Sequence, residues 1–188
     1  VVFGYAINSK FSNIEISNEK IQIPDENQND VKAIGGLVGY AKSCTFDNVR
    51  VQSNINSQKS SSIGGLVGTL YNDIIANKIS SSYVDTTIVG STKIGGLVGN
   101  VASTRLDISC SGILCDIDGN NEIGAYMGSI SSTTCSINVD SCYSTGIINA
   151  DGTAVYSFIG SCLPTLVTAT DSYSTVDVGS ANHGSISG

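Results

Sequence analysis

One hexapeptide recurs along this chain and constrains its fold more than any other feature. Ile-Gly-Gly-Leu-Val-Gly occurs three times unchanged, and three further segments match it in part. The six copies lie at or near residues 1–6, 34–39, 63–68, 94–99, 123–128 and 159–164. Counted from the last motif position, successive copies are 35, 29, 31, 29 and 36 residues apart. A period of about thirty residues is typical of repeat proteins, in which stacked units share one continuous core.

The segments between the motifs predict β structure. Residues 46–51 and 135–140 alternate apolar and polar side chains, which is the pattern of half-buried strands. A helical repeat would instead place apolar residues every three or four positions. We therefore predict an all-β fold, a right-handed parallel β-solenoid with one coil per repeat of about thirty residues. A β-propeller, which needs about forty residues per blade, is the alternative.

The repeats extend along the whole chain and predict one domain. Residues 1–188 are expected to form a single solenoid, with the acidic stretch 24–30 as a surface insertion. The chain begins inside a copy of the motif and ends in the Gly- and Ser-rich residues 180–188 without an amphipathic cap. Because a solenoid exposes unpaired strand edges unless it is capped, we expect a segment of a longer array. Its expected partners are further coils of the same parent chain or neighbouring subunits.

The paired glycines of the unchanged motifs are predicted to form a structural corner. They are Gly35, Gly36, Gly64, Gly65, Gly95 and Gly96. Equivalent positions of successive coils stack, so a repeated glycine indicates either that a side chain would collide or that φ must be positive. Phosphate binding by a glycine-rich loop would need a following helix or a Gly-Lys-Ser/Thr sequence, and the motif has neither.

Asparagine and tyrosine also recur at fixed offsets. Asn13, Asn48 and Asn77 each follow the last motif glycine by nine residues, which predicts a ladder of stacked amides. A second motif places tyrosines after Ser or Cys, at Tyr83, Tyr143 and Tyr173. In the remaining repeat the pair Cys110-Ser111 is taken as its equivalent. The tyrosine row is either a platform for ligand stacking or a half-buried packing feature, and the sequence leaves both open.

One short segment resembles a cation-binding loop. Its oxygen-bearing side chains are Asp116, Asp118, Asn120 and Glu122. Calcium is held by clustered oxygen ligands, so these residues are a calcium candidate and the one cofactor considered. The same residue types also occur in any tight turn between strands.

Catalytic constellations are sparse, and we predict no catalytic residue and no enzyme. The sole histidine is His183, in the Gly- and Ser-rich tail, which is a poor scaffold for a nucleophilic triad. Glycosidases built as β-solenoids use paired carboxylates instead, for which Asp140, Asp171 and Asp177 are the candidates.

The six cysteines are even in number and contain no Cys-x-x-Cys pair, so the pattern does not indicate a zinc site. Alignment of two repeats on the second motif superimposes Cys110 on Cys142. Stacked Cα atoms about 4.8 Å apart are within reach of a disulfide, so we predict a bridge between these two residues. A row of buried thiols is the alternative.

Charge argues against nucleic acid as a partner, and the distribution of apolar residues argues against membrane insertion. It has 9 basic and 16 acidic residues and a net charge of −7, without the clustered cations that nucleic acid requires. No window approaches the run of about 18 apolar residues that spans a membrane, so no membrane insertion is predicted within this segment.

The repeated Gly-Gly-Leu-Val-Gly, followed by Tyr-Ser-Thr at 143–145 and 173–175, resembles the GLUG motif. This repeat occurs in bacterial adhesin-like surface proteins and in accessory regions of IgA-cleaving metallopeptidases. The resemblance covers residues 1–180 and implies an extracellular β-rich repeat associated with adhesion. It implies no peptidase activity, because the His-Glu-x-x-His signature is absent.

Together these features predict a non-catalytic structural or adhesive repeat module of a cell-surface protein or extracellular filament. Host or matrix glycans and proteins are further expected partners. A carbohydrate-binding or carbohydrate-active β-helix protein is the alternative. Whether Tyr83, Tyr143 and Tyr173 face outward together distinguishes the two hypotheses.

Overall fold

The computed structural model describes residues 2–24, 32–71, 75–102, 104–163 and 165–179. These residues contain 21 β-strands and no helix, and every strand pair among them is parallel. The predicted parallel β-solenoid is confirmed. A propeller is excluded because its blades are built from antiparallel strands.

The strands fall into six coils, which we number along the chain. Coil 1 contains β1 (Phe3–Ile7) and β2 (Lys10–Gln22). Coil 2 contains β3 (Ile34–Gly35), β4 (Val38–Lys42) and β5 (Thr45–Ser57). Coil 3 contains β6 (Ile63–Gly64), β7 (Val67–Tyr71), β8 (Asn77–Ser80) and β9 (Tyr83–Gly90).

The later coils each have four strands. Coil 4 contains β10 (Thr92–Gly95), β11 (Val98–Ala102), β12 (Arg105–Ser109) and β13 (Gly112–Gly119). Coil 5 contains β14 (Asn121–Gly124), β15 (Met127–Ile130), β16 (Ser136–Asp140) and β17 (Tyr143–Ala150). Coil 6 contains β18 (Val155–Tyr156), β19 (Ile159–Cys162), β20 (Leu166–Thr170) and β21 (Tyr173–Asp177).

Strands of equal position in successive coils form three sheets. Sheet I has the order β1-β4-β7-β11-β15-β19, and sheet II has the order β3-β6-β10-β14-β18. Sheet III has ten strands. The long strand β5 joins two rows of shorter strands, since it pairs with β8 through its first half and with β9 through its second half. Each repeat therefore contributes a short strand, the glycine corner, a sheet I strand and two segments of sheet III.

A row of left-handed residues separates the two segments of sheet III. Positive φ occurs at one register position in every coil, at Asn13, Asn48, Ser81, Cys110, Ser141 and Asp171. Asparagine adopts this conformation readily. The Asn48 side-chain amide donates to Asn13 Oδ1 at 2.8 Å, so the predicted amide ladder is confirmed for these two residues.

Asn77 does not belong to that ladder. Because Lys78 pairs with Thr45, Asn77 lies beside Cys44 and four positions before the row of left-handed residues. It is fully buried, accepts a hydrogen bond from the Cys44 N–H and donates to the Tyr71 carbonyl. The prediction was wrong here because the left-handed Ser81 of coil 3 follows Gly68 by 13 residues, whereas Asn48 of coil 2 follows Gly39 by nine.

Rows of stacked aliphatic and aromatic side chains fill the core. The residues after the glycine pair stack as Leu37, Leu66, Leu97, Tyr126 and Phe158, all buried. Phe11 pairs with Phe46, and their rings stack with centroids 5.1 Å apart and an interplanar angle of 9°. The predicted match between the first two repeats is thus confirmed by the register.

The corner glycines are required because the coils approach closely. A Cβ on Gly36 would lie 2.2 Å from the Gly65 carbonyl oxygen, and one on Gly65 would lie 2.2 Å from that of Gly96. A Cβ on Gly35 would lie 2.1 Å from the oxygen of Val38. None of these glycines has a positive φ. Of the two reasons that the sequence left open, steric collision applies.

The last copy of the motif was placed four residues too late. Ile123 pairs with Val155 and Met127 pairs with Ile159, so residues 155–160 stack on 123–128. The predicted copy at 159–164 matched only the Ile-Gly pair, which in the structure corresponds to the final Val-Gly of the motif. Three sequence predictions lie outside the described residues: most of the acidic insertion 24–30, Pro164 in the last copy, and the tail with His183.

Candidate binding surface

One outward row of sheet III runs through every coil. At a single register position lie Glu15, Arg50, Tyr83, Gly112, Tyr143 and Tyr173. Side chains alternate between the two faces of a strand, so the buried residues Val51 and Val84 place their neighbours Arg50 and Tyr83 on the outer face. We call this set the outer row. The three tyrosines singled out from the sequence all belong to it and face outward together.

The second and third members of the outer row form a cation–π pair. The Arg50 guanidinium carbon lies 5.1 Å from the centroid of the half-buried Tyr83 ring, which is a cation–π contact. Burial raises the pKa of the Tyr83 hydroxyl, the charges of Asp85 and Tyr143 raise it further, and Arg50 lowers it. Arg50 is therefore engaged with the row itself.

The other end of the outer row is more exposed. The rings of Tyr143 and Tyr173 stack with centroids 6.0 Å apart and an interplanar angle of 21°. Their exposed fractions are 39% and 61%, so both present ring surface to solvent. Ligand stacking by these residues stays a prediction.

Gly112 lets the outer row continue across coil 4. A Cβ at this position would lie 2.5 Å from Cζ and 2.6 Å from the hydroxyl oxygen of Tyr143. The Tyr143 ring therefore lies over Gly112 and points toward Tyr83. The Tyr143 ring from the next coil occupies the space that a side chain at position 112 would fill.

Sheet I carries a second set of tyrosines that the sequence analysis missed. Tyr5, Tyr40 and Tyr71, together with Lys42, line a shallow groove of about 400 Å³. The tripeptide Gly-Tyr-Ala, which occurs at residues 4–6 and 39–41, indicates that Tyr5 and Tyr40 occupy the same position in successive coils. Tyr71 gave no such signal, because it follows its motif glycine by three residues rather than one.

A ladder of small polar side chains lies behind the outer row. The Val49 N–H donates to Ser82 Oγ, and the Ser82 N–H donates to Ser111 Oγ. Each of the two serine hydroxyls donates to the carbonyl oxygen two residues earlier in its own strand. Cys142 occupies the next position. Its sulfur accepts from the Ser111 N–H at 3.4 Å and donates to the Asp140 carbonyl, and its own N–H donates to Ser172 Oγ.

The predicted disulfide between Cys110 and Cys142 is not formed, and both residues are free thiols. Gly112 pairs with Tyr143, so Cys142 lies opposite Ser111, and Cys110 lies opposite Ser141. The assumed alignment was wrong by one residue. Cys110 consequently lies in an exposed left-handed turn, whereas the buried Cys142 takes the place of a serine hydroxyl.

The remaining cysteines behave mainly as packing residues. Cys44, Cys115 and Cys135 are buried free thiols, and Cys162 is an exposed one. Burial, with a smaller contribution from the charge of Asp116, raises the pKa of the Cys115 thiol to about 12. A thiol with so high a pKa is a poor nucleophile at neutral pH.

The calcium candidates are not gathered into a cluster. Asp116 and Asp118 are alternate outward residues of β13, with Cα atoms roughly 6.6 Å apart along an extended strand. Asn120 lies between β13 and β14, and the Glu122 carboxylate contacts the Thr92 hydroxyl at 3.5 Å. Within the described parts of the chain, no three His, Cys, Asp or Glu side chains are placed to hold a metal ion. Calcium binding stays a prediction.

The three glycosidase candidates lie in two separate places, the left-handed turn and strand β21. Asp140 directly precedes the left-handed Ser141 and accepts from its hydroxyl, whereas Asp171 is itself the left-handed residue of the next coil. Asp177 is on the outer face of β21 and accepts from the Gly179 N–H. Neither the groove of Tyr5, Tyr40 and Tyr71 nor the groove between Asn18 and Thr87 on sheet III is lined by any of these carboxylates.

Comparison with known proteins does not assign a family. No protein-family model matches the chain, and no curated protein shows significant similarity to it. The resemblance to GLUG repeats stays a prediction. The described residues contain no helix with the length and apolar character to span a membrane.

Proposed function

We propose that this chain is a non-catalytic structural and adhesive repeat module of a cell-surface protein or extracellular filament. The outer row carries the proposal, because Arg50, Tyr83, Tyr143 and Tyr173 continue one another along the solenoid axis. Tyrosines on a rigid β-face offer apolar contact area with hydroxyl groups at the rim, and such residues are enriched in protein interfaces.

The interior supports the structural part of the proposal. Core rows, corner glycines and the ladder of small polar side chains all serve the stacking of one coil on the next. The resemblance to GLUG repeats supports the extracellular location and the association with adhesion. Antibodies raised against the chain should label intact cells of its source, and labelling only after permeabilisation would contradict this location.

Retention of coated beads tests the adhesive part. Beads that carry the chain should be retained on a surface of mucin or matrix glycoprotein more than on albumin. The triple variant Tyr83→Ser, Tyr143→Ser, Tyr173→Ser should lose most of this retention, because it removes the rings of the outer row. A matched control, Asn54→Ala, Thr87→Ala, Asn149→Ala, changes three exposed residues of the same face and should keep it.

The bead experiment has two outcomes that contradict the proposal. One is equal retention of the wild type and the tyrosine variant, and the other is no retention of the wild type on either glycoprotein. Circular dichroism and thermal melting of each variant verify that the solenoid is intact.

Of the alternative function, only the binding half is favoured by observations. Tyr83, Tyr143 and Tyr173 face outward together, as a carbohydrate-binding face requires. The shallow groove of Tyr5, Tyr40 and Tyr71 on sheet I is a second aromatic surface that suits a sugar ring. For the enzymatic half, release of reducing sugar from soluble polysaccharides is the test, and we expect none.

A further inference from the structure

We propose that the part of the outer row in coils 5 and 6, around Tyr143 and Tyr173, binds an arginine-bearing basic segment of a protein partner. This inference rests on the proposed function and deepens it, since it names the chemistry of the partner that an adhesive module holds. Three features carry it: the distribution of charge along the chain, the exposure of the Tyr173 ring, and the cation–π contact within the row itself.

Charge is distributed unevenly along the solenoid. Residues 1–105 contain all 9 basic residues and 8 of the 16 acidic ones, so this part is nearly neutral. Residues 106–188 contain the other 8 acidic residues and no Lys or Arg. The last cation, Arg105, precedes the outer-row position of its coil by seven residues. Because charge of one sign attracts the opposite sign, the C-terminal part of the chain favours a cationic partner and repels an acidic one.

Three of these carboxylates lie beside the tyrosine pair. Asp171 precedes Tyr173 by two residues and Asp177 follows it by four, and both are exposed. In coil 5, Asp140 precedes Tyr143 by three residues. Asp140 and Asp177 accept hydrogen bonds from a hydroxyl and a backbone N–H group, which are neutral donors, so both keep their negative charge. An incoming cation therefore meets carboxylates on both sides of the rings.

The two rings contact each other, and one of them remains open. They stack with centroids 6.0 Å apart, so each covers one face of the other. Tyr143 also lies over Gly112, where a Cβ would be 2.5 Å from the tyrosine Cζ. Tyr173 is 61% exposed despite the stacking, which leaves its second face and its hydroxyl in solvent. Tyr173 is therefore the ring that a partner reaches, and Tyr143 supports it.

The outer row itself shows which cation a tyrosine at this register position accepts. Arg50 and Tyr83 are paired in register, and the guanidinium carbon lies 5.1 Å from the ring centroid. A planar guanidinium stacks on an aromatic face and binds a carboxylate through two parallel hydrogen bonds, whereas an ammonium group acts as a point charge. Coils 5 and 6 have tyrosines at the same position, but residues 106–188 contain no arginine. An arginine of the partner completes the contact.

The spacing of the groups favours an extended segment. Asp171 and Asp177 are six residues apart, with Tyr173 between them, which is at most roughly 20 Å along the chain. An extended hexapeptide has the same length, and its alternate side chains point to one side. Arginine at alternate positions therefore reaches both carboxylates and the ring from one face of the peptide.

Fluorescence anisotropy with labelled hexapeptides in about 0.1 M salt tests the proposal. The probes alternate serine with arginine, lysine or citrulline, which has the shape of arginine without its charge. We expect the arginine probe to bind at least about tenfold more tightly than the citrulline probe, because it combines a cation–π contact with carboxylate pairs. The lysine probe should bind about threefold more weakly than the arginine probe. Binding should weaken as salt is added.

Two variants of Tyr173 separate the contribution of the ring from that of charge. Tyr173→Ala should weaken binding of the arginine probe about threefold, because the aromatic face is lost. Tyr173→Phe keeps the ring and should bind the probe as the wild type does. Neither variant changes the net charge, and thermal melting verifies the fold of each.

A matched pair of charge variants locates the site along the outer row. Asp171→Asn should weaken binding about threefold. Its fold is safeguarded because Asn13 and Asn48 hold the same left-handed position in coils 1 and 2. Glu15→Gln removes the same charge at the other end of the row, roughly 24 Å away across five coil spacings. It should leave binding unchanged, because charges are screened beyond about 10 Å in this salt.

Four outcomes would overturn the proposal: no binding of the arginine probe, equal affinity for the arginine and citrulline probes, unchanged binding in Tyr173→Ala, or the same loss in Glu15→Gln as in Asp171→Asn. A hexasaccharide of glucosamine is the rival cationic probe, and tighter binding of this sugar would also overturn it. Failure here is distinguishable from failure of the adhesive function. In the first case the coated beads are still retained, and in the second case the arginine probe still binds although the beads are not retained.

Discussion

At the glycine corner, coils 2 to 4 and coils 5 and 6 share one strand register but differ in their side chains. Coils 2 to 4 place Gly-Gly-Leu there, whereas coil 5 places Gly124-Ala125-Tyr126 and coil 6 places Tyr156-Ser157-Phe158. The corner faces two inward residues of sheet III. In coil 4, a Cβ on Gly96 would contact Ile113 and Cys115.

The opposite strand changes together with the corner. Ile113 pairs with Ser144 and Cys115 pairs with Gly146, so by the same register Ala125 faces a serine and a glycine. Gly146 has a φ of 131°, and a Cβ there would overlap the carbonyl oxygen of Cys115. In coil 5, where the corner gains the Cβ of Ala125, the two facing positions have smaller side chains than in coil 4. The motif is therefore one solution to a volume constraint, and coil 5 has another.

The difference extends to polarity. The inward row that is Val51, Val84 and Ile113 in coils 2 to 4 becomes Ser144 and Ser174 in coils 5 and 6. The two serine hydroxyls hydrogen-bond at 2.8 Å, and Ser174 also donates to the Ser157 carbonyl. Coils 5 and 6 thus replace part of the aliphatic packing by satisfied hydrogen bonds.

The substitution Gly65→Ala should have the largest effect, because it breaks an unchanged corner. The added Cβ would lie 2.2 Å from the Gly96 oxygen and 2.6 Å from Val84 Cγ1, so backbone must move. We expect the free energy of unfolding to fall by about 3 kcal/mol or more in urea titrations. The reverse change in coil 5, Ala125→Gly, should cost no more than about 1 kcal/mol. Equal costs would contradict the comparison.

Loss of one hydroxyl from the polar ladder should cost less. In Ser111→Ala the buried N–H of Ser82 loses its acceptor, which should lower the free energy of unfolding by about 1–3 kcal/mol. Ser172→Ala in coil 6 removes the acceptor of the Cys142 N–H at a more exposed site, so solvent can replace it. Its cost, measured in the same titration, should be clearly smaller. A larger cost in coil 6 would show that solvent does not reach this end.

A double-mutant cycle tests the volume compensation directly. Gly96→Ala adds the atom that Ala125 has, and Cys115→Gly removes the side chain that Gly146 lacks. We expect the double variant to be more stable than the sum of the single changes by about 1 kcal/mol. As a control, Gly96→Ala combined with Cys44→Ala, two coils away, should be additive within about 0.5 kcal/mol. Additivity in both pairs would refute the compensation.

Tyr126→Phe should have the smallest effect, with the opposite sign. The Tyr126 hydroxyl is buried, and no hydrogen-bond partner for it is found in the part of the chain that the structure describes. Burial also raises the pKa of this phenol, with smaller contributions from Cys142 and nearby tyrosines. Removal of an unsatisfied hydroxyl should raise the free energy of unfolding by up to about 1 kcal/mol. A loss of stability would indicate that the hydroxyl has a stabilising contact.

The architecture could be predicted from the sequence because, in a stacked repeat, residues that contact each other in successive coils are separated by one repeat length. The glycine pairs, the match of Phe11 to Phe46 and the tyrosines of the outer row each recur at one coil position, and the register places them together. Alternation of apolar and polar residues likewise indicated parallel strands with one buried face. These features needed no knowledge of the connecting segments.

Register was decided only by the tertiary structure. The pairing of Cys110 with Ser141, the last copy at 155–160 and the position of Asn77 all depend on how many residues each connection uses. A shift of one residue turns a side chain to the opposite face, so spacing that is approximate along the chain cannot position a disulfide. The groove of Tyr5, Tyr40 and Tyr71 joins two different register positions, and only the stacked coils bring its diagonal rings together.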